Sequence, residues 1–126
     1  MTKVLIALCL LASPALAQKG TVTRLMTQEL ATLDGQEGTL IMVEYAPGGS
    51  DAEHRHNAYA FVYVLEGALV MQVKGEKEVI VGPGQTFFES PGDVHTVSRN
   101  ASTTEPARFL VFFVKPQGSP IAVPAG

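Results

Sequence analysis

The segment His54-Arg55-His56-Asn57-Ala58-Tyr59-Ala60-Phe61-Val62-Tyr63-Val64-Leu65-Glu66-Gly67 decides the fold. Its second half is a β-branched and aromatic run closed by Glu66-Gly67, the pattern of a buried strand ending in a turn. Side chains alternate faces along a strand, so His54 and His56 point the same way, with Cα atoms roughly 6–7 Å apart. Two imidazoles so placed can bind one ion. The only other histidine is His95. Tyr59, Phe61 and Tyr63 fall on the face opposite the histidines, so they are expected to pack against another sheet or a second subunit. Arg55 alternates with the histidines and should point away from the ion.

Outward from this segment, glycine and proline punctuate short apolar stretches. Strands are expected over 21–25, 39–45, 58–65, 68–74, 78–81, 85–89, 95–99 and 108–115. Asp34-Gly35, Pro47-Gly48-Gly49, Gly82-Pro83-Gly84 and Pro91-Gly92 form the turns between them. Many short strands at regular spacing predict an all-β, single-domain sandwich or barrel. The one helix-like stretch is 22–33, where apolar residues at 22, 25, 26, 30 and 33 approximate a helical face. The tail, residues 116–126, carries three prolines and cannot extend a central strand. It is expected to be flexible or to form an arm lying on a neighbour.

The composition suits one small core: 126 residues, 46% apolar, 17% charged. A formal net charge of −3, with the basic residues scattered, argues against a nucleic-acid surface. Residues 1–17 read as a signal peptide. Lys3 is followed by a short apolar run and then by the cleavage pattern Ala15-Leu16-Ala17. The run is far shorter than the roughly 20 residues a membrane span needs, so no membrane anchor should remain after processing. Cleavage removes Cys9, the only cysteine, and leaves a chain suited to an oxidising compartment, periplasmic or secreted. It also excludes a cysteine nucleophile.

Two motifs between residues 48 and 100 resemble those of the cupin family. Gly48, His54, His56 and Gly67 match the first, and Gly84, Gly92 and His95 match the second. The chain departs from the family at three places. Proline and asparagine of the second motif come one residue late, as Pro91 and Asn100, and Ala60 stands where the first motif has a glutamate. The resemblance implies a jelly-roll cupin domain over 18–115, with His54, His56 and His95 as metal ligands on neighbouring strands. It further implies a small-molecule ligand or substrate and pairing as a homodimer.

With Ala60 in the glutamate position, the protein ligand set loses its carboxylate. Glu89, just before the Ser90-Pro91-Gly92 turn, is the foremost substitute, either as a ligand or as a catalytic base whose pKa desolvation by neighbouring aromatics would raise. A rim carboxylate paired with an arginine is the alternative role, and Glu44 is a second candidate base. Three histidines accept iron, manganese, zinc, nickel or copper. Two function classes follow: a small-molecule metalloenzyme of dioxygenase, isomerase or lyase type, or an exported protein that binds a metal or small ligand without turnover. Asn100-Ala101-Ser102 also matches a glycosylation sequon.

Overall fold

A computed structural model describes residues 18–126, and the expected signal peptide, 1–17, lies outside the described residues. Among the described residues, eleven strands follow in order: β1 (Thr21–Glu29), β2 (Gln36–Tyr45), β3 (Ser50–Asp51), β4 (His54–Arg55), β5 (Tyr59–Glu66), β6 (Leu69–Val73), β7 (Val79–Val81), β8 (Thr86–Glu89), β9 (Val94–Asn100), β10 (Ala107–Pro116) and β11 (Val123–Pro124). They form two antiparallel sheets. One has the order β1-β2-β10-β5-β8; the other has β11-β4-β9-β6-β7, with β3 also paired to β9. The result is the jelly-roll sandwich expected from the sequence.

Strand alternation builds the core. Along β5, Ala60, Val62 and Val64 are buried while Tyr59, Phe61 and Tyr63 face outward. Along β10, Phe109, Val111 and Phe113 point inward from the same sheet. Leu69 and Met71 on β6 meet them from the facing sheet. Each fully buried side chain of this size contributes about 1.5–3 kcal/mol through removal of its apolar surface from water. The Glu66-Gly67 turn requires glycine: φ at Gly67 is +73°, and a Cβ there would sit 2.6 Å from the Pro106 carbonyl oxygen.

Three expectations are corrected. The 22–33 stretch holds no helix. β1 runs to Glu29, and a bulge between Arg24 and Met26 places adjacent apolar residues in a spacing that mimics a helical face. The tail folds back on its own chain. Gln117 N–H donates to the Gly35 carbonyl, and β11 pairs with β4, Val123 opposite Arg55 and Pro124 opposite His54. Proline is tolerated there because β11 is an edge strand. The sequon asparagine is structural. Asn100 is 3% exposed, and its side-chain amide donates to the carbonyls of Ala46 and Glu105 while accepting from Ser102 N–H.

Candidate metal centre

His54 and His95 lie directly opposite one another, because β4 pairs with β9 in that register. His56 follows β4. The Ser90-Pro91-Gly92-Asp93 turn carries a positive φ at Gly92 and fixes the approach to His95. Its Gly92 N–H donates to the His56 carbonyl at 3.1 Å, tying the two motifs together by their backbones. One nitrogen from each of the three rings lies within 4.8 Å of the others. The expected ligand set is thus brought to one place inside the sandwich.

Hydrogen bonding fixes which nitrogens face inward. His54 Nδ1 lies 2.8 Å from the Ala52 carbonyl, and His56 Nδ1 bonds the Ile121 carbonyl. A carbonyl only accepts, so both Nδ1 atoms carry the proton. The two Nε2 atoms then present lone pairs to each other at 3.2 Å. Two metal bonds of about 2.1 Å set their nitrogens roughly 3.0–3.4 Å apart. Burial pushes the His56 pKa down, with His54 and His95 adding to the shift, though the Ile121 carbonyl and Glu89 oppose it. A proton is therefore a poor solution to the facing lone pairs, and a metal ion is a good one. A carbonyl behind the imidazole is also the usual way a ligating histidine is oriented.

Glu89 completes the cluster from the other sheet. Its Oε1 lies 3.1 Å from His95 Nδ1, and its Oε2 lies 3.7 Å from His56 Nε2. The arginine-paired rim role does not apply, because the side chain is buried and its ionic neighbours are histidines. The His95 contact misses hydrogen-bonding geometry. Among the described residues, Glu89 Oε1 and both His95 nitrogens are buried without a hydrogen-bond partner. Such orphaned atoms are rare in folded proteins and mark a place built for something else. The donor set, nitrogens plus one carboxylate, suits a divalent transition metal.

The pKa of Glu89 runs against expectation. Burial does push it upward, but contact with His95 and the field of His56 and His54 outweigh burial and hold the carboxyl below its usual range. Glu89 stands directly across from Ala60 in the β5–β8 register. Cross-strand partners sit about 5 Å apart at Cβ, so Glu89 delivers a carboxylate beside the position the first motif leaves empty. Glu44 is excluded from the site: it faces outward, 3.6 Å from Arg108.

A cavity of about 290 Å³ opens beside the histidines, walled by Val62, Met71, Val111 and Phe113 and closed on one side by Ile121 and Ala122. Its far end holds a second polar group. Tyr45 Oη donates to Asp51 Oδ2 at 2.7 Å and lies 2.7 Å from Ser98 Oγ, while Gly20 N–H donates to Asp51 Oδ1. Ser98 and His95 both point inward although they are three positions apart, which regular alternation would place on opposite faces, because β9 carries a bulge between its pairings to Gln72 and Val73. Neither this group nor the Ile121 carbonyl was visible from the two motifs. Asp51 could have been found from its position three residues before His54, whereas a backbone carbonyl has no residue signature.

A family model described as a cupin domain matches residues 41–113, more than half of the sequence, and the chain belongs to the cupin family. The tetracenomycin polyketide synthase protein TcmJ of Streptomyces glaucescens is 32% identical over 105 residues, which is 82% of this chain; the chain spans only 66% of that protein's length. Among solved structures, TT1209 from Thermus thermophilus is 27% identical, with a TM-score of 0.61, over 78% of this chain and 84% of that one. An oxalate oxidase in complex with the substrate analogue glycolate is 26% identical, with a TM-score of 0.63, over 82% of this chain and 54% of that one.

Proposed function

We propose that this cupin holds one divalent transition metal on His54, His56 and His95 and acts on a small, largely apolar organic molecule bound in the cavity. The observation that carries the reading is the pair of Nε2 lone pairs 3.2 Å apart, each ring held by a carbonyl behind it. When bound, the ion supplies a Lewis acid with positions open to an outside ligand. The chain's own residues do the rest. The apolar wall excludes water and orients the molecule, and the ionised Glu89 carboxylate stands ready to accept a proton from it. Isomerase or lyase chemistry needs that base; dioxygenase chemistry does not. The glycolate-bound oxalate oxidase supports small-molecule chemistry on this fold.

Glu89 also favours a second reading. A carboxyl held below its usual range is a weak base and a good ligand. In that role Glu89 fills the coordination sphere, and the protein binds a metal or small ligand without turnover. Metal content of protein taken from its native compartment tests the proposal. Stoichiometric iron or copper supports oxygen chemistry, and stoichiometric zinc supports proton transfer. A protein that arrives empty and takes up none of the five metals overturns both readings.

We further propose export, with processing after Ala17. Intact mass of the native protein should correspond to a chain beginning at Gln18, and retention of Met1 would refute it. We also propose a homodimer, paired through the outer face of the β5-containing sheet. There Tyr59, Phe61 and Phe88 are each about half exposed, and Phe88 lies 5.1 Å from Phe61 and 6.3 Å from Tyr59 between ring centroids. An uncharged aromatic patch is complementary to a copy of itself, as two-fold pairing requires. Sedimentation should give a dimer at micromolar concentration, and Phe61→Glu should give a monomer.

A further inference from the structure

We propose that the C-terminal segment, residues 117–126, is a positioning element of the metal centre, acting through the Ile121 carbonyl on the His56 ring. The inference rests on the metal reading above for its purpose, but not for its geometry. The segment lies outside the region matched by the cupin model, which ends at residue 113.

The chain anchors this segment at both ends. At its start, the buried Lys115 ammonium bonds Glu37 and also donates to the Ser119 carbonyl at 2.7 Å, while Gly118 N–H reaches Glu37 Oε1 at 3.3 Å. At its end, Val123 and Pro124 pair with Arg55 and His54. Between these anchors, Ile121 packs its side chain on the core and turns its carbonyl to His56 Nδ1. Among the described residues, the Ile121 carbonyl is the one hydrogen-bond acceptor of the His56 ring, whose Nε2 faces the lone pair of His54 Nε2. Without the Ile121 carbonyl, nothing commits the His56 proton to Nδ1. The ring is then free to place that proton on Nε2, where it blocks the ion. Groups that hold a ligating histidine in this way typically change metal affinity 10- to 100-fold when removed.

Two truncations and one substitution test this in the otherwise complete protein. Ending the chain after Ala122 removes the β11 pairing and keeps the Ile121 carbonyl. Ending it after Ser119 removes both. Ile121→Lys keeps the full length and breaks the packing that aims the carbonyl. The first readout is the His56 tautomer in metal-free protein, from long-range ¹⁵N–¹H NMR. The second is zinc affinity by competition titration.

Full-length protein and the chain ending at Ala122 should show His56 protonated at Nδ1 and bind zinc within about threefold of each other. The chain ending at Ser119 and Ile121→Lys should show mixed tautomers and bind zinc roughly 10- to 100-fold more weakly. An unchanged tautomer with zinc affinity within twofold in those variants overturns the proposal. If the chain ending at Ser119 does not fold, Ile121→Lys decides alone. Should full-length protein show the Nδ1–H tautomer but bind none of the five metals, the metal reading fails while the tail's hold on His56 stands.

Discussion

Two buried polar groups share one cavity and are built on opposite terms. At one end, Tyr45, Asp51 and Ser98 satisfy each other and the Gly20 amide, and every one of their side-chain polar atoms has a partner. At the other end, His54, His56, His95 and Glu89 converge with lone pairs opposed and three buried atoms unpartnered. The two groups line the same cavity, and each takes one member from β9, Ser98 and His95. A satisfied cluster holds the barrel in one arrangement, whereas an unsatisfied one is costly unless a ligand completes it. The contrast separates scaffold from site without appeal to family resemblance.

The sharpest way to break the comparison is to truncate one member of each group. His95→Ala should weaken zinc binding by more than about 100-fold, since only two imidazoles remain. Tyr45→Phe should leave zinc affinity within twofold. Equal losses in the two variants, read by competition titration, would mean that the two ends are not distinct.

A smaller effect tests the carboxylate. Glu89→Ala alone should cost roughly 10- to 100-fold in zinc affinity if Glu89 is a ligand. Combining it with Ala60→Glu should recover most of that loss, because the two positions are cross-strand partners and serve the same space. Ala60→Glu in the presence of Glu89 should instead lower stability in the metal-free protein, as two carboxylates then share one buried spot. Unaltered zinc affinity in Glu89→Ala, combined with lost turnover, would assign Glu89 as the base.

The smallest expected effect lies at the far end. Tyr45→Phe strands Asp51 without its hydroxyl donor and should reduce the unfolding free energy by about 1–3 kcal/mol in urea titration. Because burial, followed by the bond to Asp51, pushes the Tyr45 hydroxyl's pKa well up, the group stays a neutral donor throughout the physiological range.

What was legible in the sequence follows from strand length. β5 alternates from Tyr59 to Leu65 and β10 over all its ten residues, enough for parity to show which side chains enter the core. The histidine pair was readable from its chemistry, two imidazoles two positions apart, although β4 ends at Arg55. β3, β4 and β11 hold two residues each and carry no periodic signal. The β1 bulge breaks alternation and imitated a helix. Glu89 could be named as a candidate, but its pKa direction could not. Desolvation was inferable from Phe87 and Phe88 beside it, whereas the three imidazoles that override it meet only in the folded chain.

The bond from His56 to Ile121 spans 65 residues of chain. That separation sets an order of events in time. A contact so remote closes late in folding, after the hairpins have formed. Carried by a segment near the chain terminus, it should also be among the first contacts to open on warming. An ion resting on His56 would then gain its full hold last and lose it first, so weakened binding would register on heating before the barrel itself melts.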